Sequence, residues 1–116
     1  MVGVTQIETG DIWLAILDPA VGQERGGRRP VVVVSASAMH TLPINMTVVV
    51  PLTSNDRGLI TQPRVFSQTA GLRRPSVARP EDVRAIDASR LSRRLGRVSP
   101  EELADIRKVL RYFLDL

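Results

Sequence analysis

Cysteine is absent from this 116-residue chain, and histidine occurs once, as His40. Without cysteine the chain can form no disulfide, no thiolate nucleophile and no zinc site with sulfur ligands. A single histidine also excludes a His–His acid–base pair within one chain, and we interpret His40 as a solvated residue of a polar loop. Because no Asp, Glu and His residues show the spacing of metal ligands, we expect no metal and no other cofactor.

Long apolar runs and lysine are scarce as well. No segment approaches the roughly 20 apolar residues of a membrane span, and the N-terminus lacks the pattern of a secretory signal. We therefore expect a cytoplasmic protein with no membrane partner. Of the 16 basic residues, 15 are arginine, and the formal net charge is +4. Arginine favours bidentate contacts to phosphate or carboxylate, which suggests an anionic partner, although a GC-rich genome would explain the count equally well.

Short apolar segments separated by turn residues predict an antiparallel β structure. We predict strands over residues 11–18, 31–35, 46–52, 62–68, 76–78, 82–86 and 95–98, with one helical turn over residues 87–91. Val31 to Val34 form a continuous β-branched run, which indicates a strand buried on both faces. Trp13 is expected to pack in the core. Residues 1–9 are expected to form a flexible arm.

The C-terminal segment predicts an amphipathic helix. Ser99 suits the N-cap, Pro100 suits the first helical position, and Glu102 completes a capping box. Six apolar residues follow at helical spacing and make one apolar face: Leu103, Ile106, Val109, Leu110, Phe113 and Leu114. The whole chain, residues 1–116, is therefore expected to be one mainly β domain. Its predicted architecture is a small antiparallel SH3-like barrel or curled sheet with a C-terminal helix.

A glycine-rich loop between the first two strands combines flexible backbone with charge. It carries three glycines, one glutamate and three arginines: Gly22, Glu24, Arg25, Gly26, Gly27, Arg28 and Arg29. Glycine lets the backbone approach a ligand closely, and arginine offers a fork of donors to phosphate oxygens. This inventory is compatible with RNA cleavage by the RNA's own 2′-hydroxyl, because the protein must then only position the strand and neutralise charge. Arginine is a poor base, so proton transfer is less well accounted for.

Four stretches in the same order resemble the MazF/PemK toxins. They are GDIWLAILDPAVGQERGGRRPVVVVS at 10–35, TVVVPLTSN at 47–55, DVRAIDASRL at 82–91 and RLGRVSPEEL at 94–103. The likeness covers residues 9–116. It implies a curled antiparallel sheet with a C-terminal helix, forming a homodimer with single-stranded mRNA along the shared face. It also implies sequence-selective, metal-independent endoribonuclease activity, a cognate MazE-like antitoxin, and products with a 2′,3′-cyclic or 3′-phosphate and a 5′-hydroxyl.

The same resemblance assigns roles to particular residues. Arg29 stands at the position of the family's catalytic arginine, and Thr53 at that of its catalytic threonine. Glu24 matches a loop glutamate linked with activity or RNA contact. Gln23 stands where many members have serine, and we expect it to tune contacts. The expected RNA-binding residues are Gln23, Glu24, Arg25, Arg28 and Ser54.

Simpler roles for these residues remain open. Arg29 could form a surface ion pair, Thr53 could cap a turn through its hydroxyl, and Glu24 could merely pair with a neighbouring arginine. Four arginines near the end of the chain could follow an RNA backbone, bind an acidic antitoxin segment or be solvated: Arg90, Arg93, Arg94 and Arg97.

Two rival functions also remain open. A gyrase poison of the CcdB type shares the fold but works through a Trp-Gly-Ile-like C-terminus, whereas this chain ends in Phe-Leu-Asp-Leu. The other rival is a non-catalytic RNA-binding member of the same family.

Overall fold

The computed structural model describes residues 6–19, 21, 22, 24 and 26–116. In this part of the chain seven strands precede one helix. The strands are β1 (Asp11–Ile16), β2 (Arg28–Val33), β3 (Met46–Thr53), β4 (Arg64–Val65), β5 (Ser76–Ala78), β6 (Arg84–Asp87) and β7 (Leu91–Arg97), and the helix is α1 (Pro100–Leu114). Short 3₁₀ helices occupy four connections: Ser37–Thr41, Gln68–Ala70, Pro80–Asp82 and Ala88–Arg90. The predicted mainly β fold with a C-terminal helix is confirmed.

The strands form one antiparallel sheet in which β3 is the branching element. The order is β4-β5-β3-β2-β1-β7, and β6 pairs with β3 outside this path. The first half of β3 pairs with β6, whereas Leu52 and Thr53 at its end pair with β5. Because β3 changes partners along its length, the sheet cannot stay flat, and it curls into a half-barrel. None of the helices in the described ranges is long and apolar enough to cross a membrane.

The valine run lies at the centre of the sheet, as predicted. Val31, Val32 and Val33 are completely buried and alternate between two clusters of apolar side chains. Val32 faces the cluster that includes Ile106 and Leu110 of α1, whereas Val31 and Val33 face the cluster that includes Trp13. Both faces of the strand are therefore apolar, which explains why the sequence shows no alternation here. The prediction that Trp13 belongs to the core is confirmed.

Helix α1 begins as the sequence predicts. The Ser99 hydroxyl accepts a hydrogen bond from the Glu102 amide, and the Glu102 carboxylate accepts one from the Ser99 amide. The apolar face is covered along most of its length but not at its end, because Phe113 and Leu114 are exposed. The predicted apolar face is therefore covered over its first turns and open to solvent at its last turn.

Several strand boundaries differ from those predicted. Strand β2 begins at Arg28 and ends at Val33, so it includes the arginines that we assigned to the loop. Strand β7 runs from Leu91 to Arg97 rather than over residues 95–98. It is an edge strand with exposed polar residues in its first half, and its register with β1 shifts twice, so alternation is lost. The predicted strand at 62–68 is reduced to Arg64–Val65.

His40 is not the solvated residue that we expected. Its Nδ1 lies 2.7 Å from the Ile7 carbonyl oxygen and its Nε2 lies 2.7 Å from the Ser35 hydroxyl. A carbonyl only accepts, so Nδ1 carries the proton and Nε2 accepts in the neutral ring. The bond between His40 and the Ile7 carbonyl ties the expected N-terminal arm to the domain. A second bond does the same, because Thr9 Oγ1 donates to the Ser35 carbonyl oxygen at 2.8 Å.

Glu102 joins α1 to the segment after β4. Its carboxylate accepts hydrogen bonds from the Phe66 amide at 2.8 Å, from the Ser67 amide at 3.1 Å and from the Ser67 hydroxyl at 2.7 Å. Burial raises the pKa of Glu102, but the hydrogen bonds from Ser99, Phe66 and Ser67 outweigh burial and hold the pKa below its ordinary value. The charged form of Glu102 therefore stabilises the fold.

We expect Glu102→Gln to lower the free energy of unfolding by about 2 kcal/mol at pH 7, because an ionised acceptor of several bonds is lost. A depressed pKa in the folded state gives stability that is present above the unfolded pKa and is lost as the pH falls through the folded pKa. The deficit should therefore shrink below about pH 4. Urea unfolding at several pH values measures it, with the exposed neighbour Glu101→Gln as control. An equal deficit at pH 7 and pH 3 would contradict the assignment.

Candidate functional site

The register of β2 with β3 brings Arg29 and Thr53 together. Val31 lies opposite Pro51, and Val33 lies opposite Val49. Arg29 lies near the start of β2 and Thr53 at the end of β3, so the antiparallel pairing puts both residues at the same end of the two strands. Arg29 and Thr53 also line one groove, with a volume of about 340 Å³.

Arg29 is held by its own loop without losing its donor fork. Its Nε donates to the Gly26 carbonyl oxygen at 2.9 Å. Its two terminal nitrogens make no further hydrogen bond or ion pair within the described ranges of the chain. The guanidinium thus has a fixed orientation, and its outer N–H groups remain available for an anion in the groove. A surface ion pair, the simpler role left open by the sequence, is not formed with any described carboxylate.

Thr53 combines a turn cap with a position in the groove. It is 7% exposed, and its Oγ1 accepts a hydrogen bond from the Asn55 amide at 3.2 Å. A hydroxyl keeps its single donor when it accepts, so this bond fixes the side chain and leaves its proton available. The turn-capping role and the functional role are therefore compatible. Ser54 lines the same groove beside Thr53.

Three further arginines line the groove. Arg93 projects from β7, and Arg74 and Arg73 lie in the segment before β5. Arg93 is one of the four arginines whose role stayed open from the sequence, whereas Arg73 and Arg74 were not among the predicted site residues. A signal was present: Gly71-Leu-Arg-Arg-Pro75 repeats the pattern of Gly26-Gly-Arg-Arg-Pro30. The floor of the groove is apolar and includes Leu14, Pro30, Leu52, Leu72 and Leu95.

The predicted loop residues are less well connected to the groove. Glu24 closes its own turn, since its Oε1 accepts from the Val21 amide at 2.7 Å, and it is not among the groove residues. Arg28 is exposed, pairs with Ile16 across the sheet and also lies outside the groove lining. Gln23 and Arg25 fall outside the described residues. Their predicted roles, like those of Glu24 and Arg28, remain predictions.

Three of the four arginines near the end of the chain are bound to the protein itself. Arg97 donates to Asp11 at 2.8 Å, and Arg94 lies 3.3 Å from the same carboxylate. Arg90 donates to the Ile16 and Asp18 carbonyl oxygens at 3.2 and 2.5 Å. Arg93 is the member of this set that lines the groove.

The Gly10-Asp11-Ile12-Trp13 stretch has a structural explanation. Asp11 is 1% exposed and accepts hydrogen bonds from the Glu8 amide at 2.9 Å and from the Trp13 indole at 3.4 Å, in addition to its two arginines. Gly10 adopts a φ of 91°, which side chains rarely tolerate. Asp11 is thus a buried junction between β1, β7 and the N-terminal segment, and it lies away from the groove.

A larger cavity of about 600 Å³ lies beside the 3₁₀ helix Ser37–Thr41. Ile7, His40, Leu42 and Met46 are among its lining residues, and no arginine is. It lacks the cations that an anionic ligand requires, so the smaller groove is the better candidate. Within the described ranges, no group of three or more His, Asp or Glu side chains is placed to hold a metal ion.

The chain is thus a small half-barrel domain with an arginine-lined groove. Residues 8–114 match the family model described as PemK-like, MazF-like toxin of type II toxin–antitoxin system. The chain belongs to this family.

Named relatives agree with this membership. Endoribonuclease MazF9 of Mycobacterium tuberculosis is 42% identical over 112 residues, which cover 92% of this chain and 95% of the relative. A crystal structure of MazF from Deinococcus radiodurans superposes with a TM-score of 0.81 at 26% identity, covering 94% of this chain and 96% of that one. A MazE–MazF crystal structure from the same organism gives a TM-score of 0.79 at 25% identity, covering 97% and 98%. The family and fold expected from the resemblance are confirmed.

We expect Asp11→Asn to lower the free energy of unfolding by about 2–3 kcal/mol, because two guanidinium groups lose their buried anionic acceptor. Thermal or urea unfolding measures the change. The matched control is Asp105→Asn on the exposed face of α1, which should change stability by less than about 0.5 kcal/mol. Equal stability of the two variants would show that Asp11 does not hold this junction.

Proposed function

We propose that the chain is a toxin endoribonuclease that cuts single-stranded mRNA at a short sequence motif. The observation that carries this proposal is the shared groove of Arg29 and Thr53, in which two donor groups converge from adjacent strands. The identity to Endoribonuclease MazF9 supports the same activity. RNA needs no protein nucleophile, and that agrees with a groove whose described lining contains arginine, serine and threonine but no cysteine or histidine.

In the proposed reaction the 2′-hydroxyl oxygen attacks the adjacent phosphorus. A bond forms between O2′ and phosphorus, the bond from phosphorus to O5′ breaks, and the products are a 2′,3′-cyclic phosphate and a 5′-hydroxyl. The terminal N–H groups of Arg29 stabilise the charge that develops on the non-bridging oxygens, and the Thr53 hydroxyl donates to the same phosphate. We assign proton removal from O2′ and proton delivery to O5′ to water, because arginine keeps its proton at neutral pH. No step requires a metal ion.

The partners in this proposal follow from the family. We propose that a MazE-like antitoxin neutralises the chain, as the MazE–MazF structure with 25% identity suggests. We also propose a cytoplasmic homodimer, in which RNA runs along the face that the two copies share. Light scattering of the purified chain tests the dimer, and a monomer at micromolar concentration would contradict it.

We expect Arg29→Ala to reduce cleavage by at least about 10³-fold, and Thr53→Val by about 10²-fold, because each removes a donor to the charged transition state. Thr53→Ser keeps the hydroxyl and should retain most activity. The assay incubates the protein with a long RNA in EDTA and maps the new ends by primer extension. Urea unfolding checks that both variants are folded, and Thr53→Val should be less stable by about 1 kcal/mol because the Asn55 amide loses its acceptor.

The matched control for charge is Arg107→Ala, an exposed arginine on α1, which should cleave at the wild-type rate. Normal cleavage by Arg29→Ala and Thr53→Val would place the site elsewhere. Absence of cleavage by the wild-type chain would instead favour the gyrase-poison or the RNA-binding alternative, and RNA binding without new ends would select the latter.

A further inference from the structure

Six arginines outside the groove are bound to partners within the protein. Arg64 pairs with Asp56, Arg79 with Glu81, and Arg84 donates to the Leu17 carbonyl. Arg90 donates to two carbonyl oxygens, and Arg94 and Arg97 both pair with Asp11. The groove differs, because its lining contains Arg29, Arg73, Arg74 and Arg93 but no Asp or Glu. Four guanidinium groups therefore share one concave surface without a neutralising carboxylate in its lining.

The segment that carries Arg73 and Arg74 is fixed by a close contact between two backbones. A Cβ atom at Gly71 would lie 2.0 Å from the Leu95 carbonyl oxygen, and one at Gly96 would lie 2.2 Å from the Thr69 carbonyl oxygen. Only glycine permits this approach at either position. The segment is thereby pressed against β7, which carries Arg93 on the same groove.

Further contacts hold the segment on its other side. Leu72 packs against the core cluster that contains the helix residues, and the Ser76 hydroxyl donates to the Arg74 carbonyl oxygen at 3.2 Å. Both arginine side chains are exposed, yet their backbone is anchored before and after them. Such an arrangement lowers the entropic cost of binding a charged ligand, because the chain does not need to be ordered first.

We propose that Arg73 and Arg74, with Arg93, form a second phosphate-binding wall that holds RNA phosphates flanking the one at Arg29 and Thr53. This inference rests on the proposed function and adds to it which residues position the strand. RNA carries one phosphate per nucleotide, so a strand that places one phosphate at Arg29 must place its neighbours along the groove. Arg73, Arg74 and Arg93 supply cations there, and the apolar residues of the groove lining face the nucleotides.

The test measures how RNA affinity depends on salt. Each phosphate contact to a single strand contributes about 0.7 to the slope of log K against log salt concentration. We expect Arg73→Ala and Arg74→Ala each to flatten that slope by about 0.7, and the double variant by about 1.4. Each single variant should also weaken binding about tenfold at the lowest salt, as expected for a lost charge-assisted hydrogen bond.

The probe is a short single-stranded RNA containing the mapped cut site, with a 2′-deoxy nucleotide before the scissile phosphate so that it stays intact. Arg73→Lys and Arg74→Lys keep the charge and should restore the slope, whereas Arg107→Ala should leave it at the wild-type value. Unchanged slopes in the alanine variants would overturn the proposal. A second result would also overturn it: the alanine variants bind more weakly, the slope is unchanged and the lysine variants do not restore binding. That result indicates stacking of bases on the guanidinium planes.

Failure of this inference can be distinguished from failure of the proposed function. If the wild-type chain cuts RNA while the alanine variants keep the wild-type slope, only the second wall is wrong. If the wild-type chain binds RNA without cutting it, the proposed function is wrong. Unmodified RNA then serves as the probe, and the same slopes still decide whether Arg73 and Arg74 contact phosphate.

Discussion

The antiparallel ladder between β2 and β3 is the constraint on which the rest of the molecule depends. It places the start of β2 beside the end of β3, and so it brings Arg29 and Thr53 to one groove although they lie 24 positions apart in the chain. A shift of this ladder by two residues would keep every side chain on its face and still separate the pair. The proposed chemistry therefore requires a correct register as well as a correct fold.

The valine run cannot set that register by itself. Val31, Val32 and Val33 are identical and buried, so sliding β2 along its neighbours would exchange one valine for another. Polar groups at the far end of the ladder remove this ambiguity. The Ser35 hydroxyl accepts from the Val48 amide at 3.0 Å, and its contacts with His40 and Thr47 fix its position. A buried polar cluster satisfied in only one alignment is a better determinant of register than an apolar strand. This role accounts for the hydrogen bonds of the half-buried His40.

The sequence alone was sufficient to predict the elements that depend on residues close together in the chain. The cap at Ser99 and Glu102, the valine strand and the burial of Trp13 each depend on residues close together in the chain, and each was predicted correctly. Strand β7 was misplaced because it lies at an edge, where exposed polar residues are tolerated and hydrophobic alternation fades. The family resemblance pointed to Arg29 and Thr53, and only the three-dimensional register places them in a common groove. Arg73 and Arg74 repeat the local pattern of Arg28 and Arg29, but their place in the groove depends on the close approach of residues 69–71 to Leu95 and Gly96, which are distant in the chain.

The division of the arginines explains how a chain with a modest net charge of +4 can present a strongly basic groove. Six arginines outside the groove are paired with carboxylates or bound to carbonyl oxygens, and Asp11 alone pairs with two of them. The groove lining contains no Asp or Glu, so no carboxylate there offsets the charge of its four arginines. Arginine suits both tasks, because one fork of donors can bridge a buried carboxylate or a phosphate with equal geometric fit. Lysine would satisfy the charge in either place but would orient neither partner, so the near absence of lysine is consistent with a protein in which guanidinium geometry serves both the fold and the groove.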